Sequence, residues 1–422
     1  MANRARVIYQ SEALYAGTVD ATGHHFLVNG TGYKDQITAD AAGTATTGIQ
    51  QLHRVQSANY SFSINRQDVN QFGQLARIDS VAIEPPTVTL DFSYYLTNGF
   101  NEETLGFNID GGTDLTWSQA LSDELLLGKT ADADNPGGKN FFILTTAEGS
   151  DAVGSDLSAE AGKSTIALGN GFVSNYSIEA AVGGMPTASV TVDGLNLRSY
   201  TGTADLDNPA INTTYGIPVT DSEFSLPPAV SGKSDAGADG IWGNVDDTDG
   251  DAGIACLRPG DISLSLGLDG RAGEFELLPS KDPMNDYEGS GSAHIQSFSI
   301  DVPISRSVIN RLGNPYGYAR VTDFPVNISV SVSAILSDLK EGNVADLLFN
   351  EEQHDLTFTM REPSPQGTGD ATLIYKVKGA RLEGESFSSS IGDNKSVDLT
   401  FTAQLGGPQD KTNGLFISGS AA

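Results

Sequence analysis

The chain is short of cysteine, histidine, basic residues and long apolar runs, and each shortage removes a class of function. Cys256 is the sole cysteine, so no intrachain disulfide and no cysteine-based zinc site can form. It reads as a small structural residue. The five histidines, His24, His25, His53, His294 and His354, contain no His-x-x-x-His metal pair. Lys and Arg number 24 against 54 Asp and Glu, a formal net charge of −30 spread along the whole chain. A surface that acidic repels phosphate backbones and argues against tight nucleic-acid binding. No stretch of 18 apolar residues occurs, so no membrane-spanning helix is expected. The opening "MANRARVIYQ" is basic but lacks the apolar core of a signal peptide, which points to a soluble protein made in a cytoplasm.

What the chain does have is a repeated pattern. At 422 residues it has room for two or three domains, each with its own core. Its 48 glycines and its Thr, Ser, Val and Ile content favour strands joined by turns. "VQSANYSFSINRQDVNQFG" (55–73) returns as "IQSFSIDVPISRSVINRLG" (295–313). A shift of 240 (295 − 55) carries Arg66 to Arg306, Asn70 to Asn310 and Gly73 to Gly313 without a gap. Just beyond, "GQLARI" against "GNPYGYARV" suggests that the alignment slips and then recovers. The runs Val88 to Leu96 and Val326 to Leu336 then alternate apolar and polar residues, the period of a half-buried strand. Further on, 171–192 parallels 380–401 at a shift of 209 (380 − 171), each with two alternating runs around a turn, Gly183-Gly184 or Gly392-Asp393-Asn394. Short helices are expected within "WSQALSDELLLG", within 337–350 and, shorter, at "NEETLGF".

The expected fold is therefore mainly β. Two tandem antiparallel β-sandwich or half-barrel domains, 1–202 and 259–422, each carry a flanking short helix. The acidic, Gly- and Pro-rich segment 203–258 reads as linker or peripheral insertion. Its stretch 225–255 offers few core-type residues besides Ile241 and Trp242, so its deletion is expected to leave assembly intact.

Catalytic motifs are missing. "AGKS" (161–164) and "SGKS" (231–234) lack the upstream glycine of a phosphate-binding loop, with Leu157 and Pro227 in its place. No Gly-x-Ser-x-Gly elbow occurs. Acidic pairs such as Glu102-Glu103 read as solvated charge. In "DDTDGDAG" (246–253), Asp247, Asp249 and Asp251 alternate as in loops for hard cations, which makes them a calcium candidate. The full loop pattern fails, because Ala252 stands where the turn glycine belongs and Arg258 where a glutamate closes the site. No cofactor and no enzymatic activity are expected.

A half-chain with exposed edge strands invites pairing with another chain, and a closed ring removes the edges. The opening "RVIYQSEALYAG", the segment "YSFSINRQDVNQFGQLARID" and the alternating strand after Pro85 resemble the tail tube proteins of tailed bacteriophages. The duplicated form is similar to siphophage tube proteins that build trimeric rings with pseudo-sixfold symmetry. That resemblance implies a virion protein assembled in the host cytoplasm. It implies homotrimers stacked into a tube, meeting the tape measure protein, the tail tip or baseplate and the tail terminator. DNA would pass through without tight binding, and the duplicated landmarks Arg66, Asn70, Gly73, Arg306, Asn310 and Gly313 would serve subunit contacts. The two arginines are expected to lie in matching surroundings, paired with carboxylates. Rival readings are a baseplate, hub or distal tail ring, a calcium-dependent β-rich adhesin, and a β-sandwich hydrolase, which the lack of a convergent motif disfavours.

Overall fold

The computed structural model describes residues 12–20, 49–110, 119–121, 125, 136–146, 152, 162–204, 206–212, 215–219, 223–224, 226, 229, 256–265, 293–317, 319–336, 353–361, 371–389, 394, 396–407 and 410–419. The chain is mainly β, with one large antiparallel sheet, several small ones and almost no helix. The first half runs β1 (Glu12–Asp20), β2 (Ile49–Gln51), β3 (Val55–Ser63), β4 (Arg66–Val69), β5 (Asp79–Ala82) and β6 (Thr87–Tyr95). After helix α1 (Phe100–Leu105) come β7 (Ile109–Asp110), β8 (Pro136–Thr146), β9 (Lys163–Ala181), β10 (Thr187–Gly194) and β11 (Asn196–Thr201). Four two-residue strands follow: β12 (Leu206–Asp207), β13 (Ile211–Asn212), β14 (Ile217–Pro218) and β15 (Glu223–Phe224). The second half runs β16 (Ile262–Ser265), β17 (Ala293–Pro303), β18 (Arg306–Ile309), β19 (Ala319–Thr322) and β20 (Asn327–Leu336). It ends with β21 (His354–Arg361), β22 (Ala371–Ser388), β23 (Ser396–Gln404) and β24 (Gly414–Gly419).

The order of pairing repeats. In the first half β3-β6-β10-β9 lie side by side, and in the second β17-β20-β23-β22 do the same. The registers agree residue for residue. Ala58 faces Phe92 and Phe298 faces Val332, both at a shift of 240, with a bulge one step earlier in each pair. Glu179 faces Thr187 and Ser388 faces Ser396, both at a shift of 209, again with a bulge at the matching place. Arg66 faces Ala82 and Arg306 faces Thr322, so the β4–β5 and β18–β19 hairpins also keep the shift of 240. The slip expected between 73 and 79 does not occur. Matching Ala76-Arg77 to Ala319-Arg320 follows a chance likeness of residue type, whereas the strand register makes Ser80 the counterpart of Arg320.

The long strands β9 and β22 are shared between two layers. The early part of β9 pairs with β8 and β11, and β8 pairs with β1; the early part of β22 pairs with β21 and β24, and β21 with β16. The alternating strands turn Leu90, Phe92, Val190, Ile300, Val330 and Phe401 inward, all at 3% exposure or less. One cluster of buried side chains runs through both halves, rather than one core for each. The halves are tied further where β7 pairs in parallel with β24 and where Ala120 N donates to Leu415 O.

Of the expected helices, "NEETLGF" carries α1, ended by Gly106 in the left-handed conformation. Within "WSQALSDELLLG" the described residues include an extended bridge between Phe107 and Leu121. Leu125 in the same stretch is helical and buried; its other residues past Leu121, and the helix expected within 337–350, fall outside the described residues.

The segment expected to be linker begins as packed chain. Asn170, at φ 52°, receives Ile211 through its side-chain amide, with Ile211 N donating to Oδ1 at 2.6 Å and Nδ2 donating to Ile211 O at 3.2 Å. Asn196 and Arg198 hold Pro209 O and Asn208 O. Gly169 permits this approach, since a Cβ there would meet Pro209 O at 2.3 Å. Leu206, Leu226 and Ala229 are buried in a second cluster with Tyr15, Phe142 and Leu144. Leu226 and Ala229 belong to the stretch 225–255 that looked dispensable.

Candidate assembly surfaces

Among the described residues, the repeat makes one internal joint and leaves two edges open. The joint is the antiparallel pairing of β9, last strand of the first half's layer, with β17, first strand of the second's. Ile178 lies opposite Ile300 and Tyr176 opposite Val302, all at 0% exposure. Asn175 Nδ2 donates to Asp301 Oδ1 at 3.2 Å, and the ladder continues through Val182 N to Gln296 O and Ile304 N to Ser174 O. Burying apolar side chains on one face while pairing the backbone is what stabilises such a seam.

At the open edges stand β3, the counterpart of β17, and the C-terminal part of β22, the counterpart of β9. Tyr60 and Phe62 of β3, which match Ile300 and Val302, are 43% and 59% exposed. Phe387 of β22, which matches Ile178, is 47% exposed. Glu385 takes the place of Tyr176, and partial burial raises its carboxyl above the usual range. These residues carry the inward pattern of a core strand, but no strand among the described residues pairs on their outer side.

The opposite face of the same eight strands is polar. Hydroxyl pairs cross the strands, Ser57–Ser93 at 2.8 Å, Ser61–Thr89 at 2.7 Å and Ser63–Thr87 at 2.6 Å. Among the paired positions of this face stand Asp91, Glu179, Asp193, Asp301 and Asp398, with Arg381 the lone basic residue, near one end. Thr191 Oγ1 donates to Asp91 Oδ1 at 2.8 Å across the strands, and the arrangement can hold water and repel anions.

At that same end the β18–β19 hairpin folds over the joint. Arg306 and Arg320 stack on the Phe172 ring, 4.8 Å and 5.6 Å from its centroid. Arg320 donates to Asp193 O at 2.7 Å and Gly194 O at 3.1 Å, and Arg306 donates to Leu125 O. Burial lowers both guanidinium pKa values to about 10. Arg66 is different. The β4–β5 hairpin is exposed along β4, and Arg66 has no ion pair among the described residues. The two arginines share a register position but not their surroundings, because the sector that surrounds Arg306 has no counterpart beside Arg66 in one chain. The described contacts of Arg306 are the Phe172 ring and Leu125 O, beside Asp193.

Asn70 and Asn310, with Gly73 and Gly313 at φ 91° and 87°, form the matching hairpin tips. The tip side chains Phe72, Leu75 and Leu312 are fully exposed. Asp247, Asp249 and Asp251 lie outside the described residues. Among the described residues, no three His, Cys, Asp or Glu groups come together as a metal ion requires.

Sequence reasoning missed Glu102. Instead of a solvated charge, it is 1% exposed on α1 and accepts from the hydroxyls of Tyr94 at 2.8 Å, Tyr176 at 2.9 Å and Tyr375 at 3.3 Å. Burial raises its carboxyl pKa and, with the nearby Glu102 charge, raises all three phenols. The cluster joins β6 and β9 of the first half to β22 of the second. A tyrosine at an inward position on three separate strands was the available signal, since a buried phenol needs a polar partner.

No protein-family model matches the chain, and no curated protein matches it.

Proposed function

We propose that this chain is a structural, ring-forming subunit of a bacteriophage tail tube. A single observation carries the reading: the internal β9–β17 joint uses the two strands whose counterparts, β22 and β3, stand open at the two ends of the eight-strand layer. A joint already made once between two half-chains can be made again between two chains. Head-to-tail pairing of this kind closes a ring if the rotation allows it. With equivalent joints, the shifts of 240 and 209 set the register: Tyr60 of one chain opposite Phe387 of the next, and Phe62 opposite Glu385. Three chains, the number that the family resemblance implies, give six equivalent sectors.

The polar face then becomes the lining. Its carboxylates repel phosphates over a Debye length of about 8 Å at physiological salt, and its hydroxyls keep it wetted. DNA passes such a wall without adhering. Tape measure, tail tip and terminator proteins are the partners expected for a tube of this kind. The experiment is mass measurement with electron microscopy of the purified protein across a salt series. Trimeric rings at low salt, stacking into tubes as salt screens the charge of −30 per chain, are expected. Single rings that never stack would move the protein to the tail tip. A monodisperse monomer at every salt concentration would refute the ring.

A further inference from the structure

A cleft of about 860 Å³ opens at the end of the second half's layer, with Asn327, Arg381, Glu383, Thr402 and Asp410 in its walls. The shift of 209 carries Phe172 to Arg381, Ser174 to Glu383 and Asp193 to Thr402. The cleft therefore occupies the position that, in the first half, the β18–β19 hairpin fills with Arg306 and Arg320 stacked on Phe172. The hairpin standing in the same relation to the second half is β4–β5, since Arg66 matches Arg306 and Ser80 matches Arg320. Within one chain β4–β5 springs from the open edge β3, at the far end of the sheet from β22.

We propose that the cleft is the seat for the β4–β5 hairpin of a second copy of this chain, fastened by an ion pair between Arg66 and the neighbour's Glu383. The inference rests on the ring reading above and adds what locks one chain to the next. Its chemistry differs from the internal seat. Arg381 replaces the Phe172 ring and Ser80 replaces Arg320, so the stack of two cations on one aromatic cannot form. A carboxylate arrives instead, because Glu383 stands where the internal seat has Ser174. Thr402 Oγ1 donates to Glu383 Oε1 at 2.7 Å, which holds the carboxylate at the cleft wall. Arg381 beside it would repel an incoming Arg66 if Glu383 were absent. The joint between chains is thus fastened by charge, whereas the joint within a chain is fastened by an aromatic stack. The first weakens with salt and the second does not.

The test is a charge swap on the full chain at low salt. Arg66→Glu, Glu383→Arg and the double variant are compared with wild type by mass measurement over a concentration series. Both side chains lie on the surface, so the melting temperature of the monomer should not move and reports on folding separately. Each single variant is expected to raise the concentration needed for association about tenfold or more, and the double variant to restore it. Phe62→Ser, which breaks the strand joint, separates the two claims. If Phe62→Ser abolishes rings while both charge variants associate like wild type, the seat is wrong and the ring stands. Failure of the double variant to recover also overturns the pair. A wild type that stays monomeric overturns both.

Discussion

Replacing Phe62 by serine should cripple assembly while leaving the fold of the single chain almost untouched. Phe62 is 59% exposed in one chain, whereas Val302, its counterpart in the internal joint, is 0% exposed. A Phe side chain offers about 200 Å², so closing the joint over Phe62 removes roughly 120 Å² of apolar surface from water. At about 25 cal/mol per Å² that is ~3 kcal/mol for each joint. The association constant of one joint should fall about a hundredfold, and a three-joint ring multiplies the loss. In the free chain the same change acts on a largely solvated side chain, worth about 0.5 kcal/mol. Val302→Ala supplies the contrast, costing the fold about 2 kcal/mol. The assay pairs sedimentation velocity over a concentration series with thermal melting. Phe62→Ser should shift association and not the melt, and Val302→Ala should shift the melt. Association of Phe62→Ser at the wild-type concentration would refute the equivalence of the β3–β22 edge and the β9–β17 joint.

Two further outcomes follow from the interior. The folded chain holds the Glu102 carboxyl above its usual pKa, chiefly by burial, so folding binds the proton more tightly than the unfolded chain does. Its contribution is fully present below the ordinary carboxylate pKa and is lost as pH rises through the raised folded value. Glu102→Gln removes that loss, so melting temperatures against pH should show the variant gaining on wild type as pH rises; a constant gap would refute the linkage. Leu226, 1% exposed between the connecting segment and the first half, should cost about 2–4 kcal/mol when cut to alanine. Denaturant unfolding measures it, and a wild-type midpoint would mean that 203–229 is the peripheral loop its composition suggested.

The sequence by itself determined the strands and the repeat. Alternation in Val88 to Leu96 and Val326 to Leu336 is a local signal, because side chains of a strand face opposite ways at every step. The 240 shift was visible for the same reason: each copy needs the same residue types at the same faces. What a neighbour supplies was not visible. Arg66 and Arg306 read alike, yet one is exposed and the other buried, because only Arg306 has a sector beside it within the chain. Glu102 looked solvated next to Glu103, since its burial depends on tyrosines from three strands, two of them distant in sequence. Residues 203–229 looked like linker because asparagines at 170 and 196, not their own side chains, satisfy the backbone at Pro209 and Ile211. Local pattern fixes which face of a strand is apolar, but only the tertiary structure decides what covers it, and here it leaves Tyr60, Phe62 and Phe387 part-exposed.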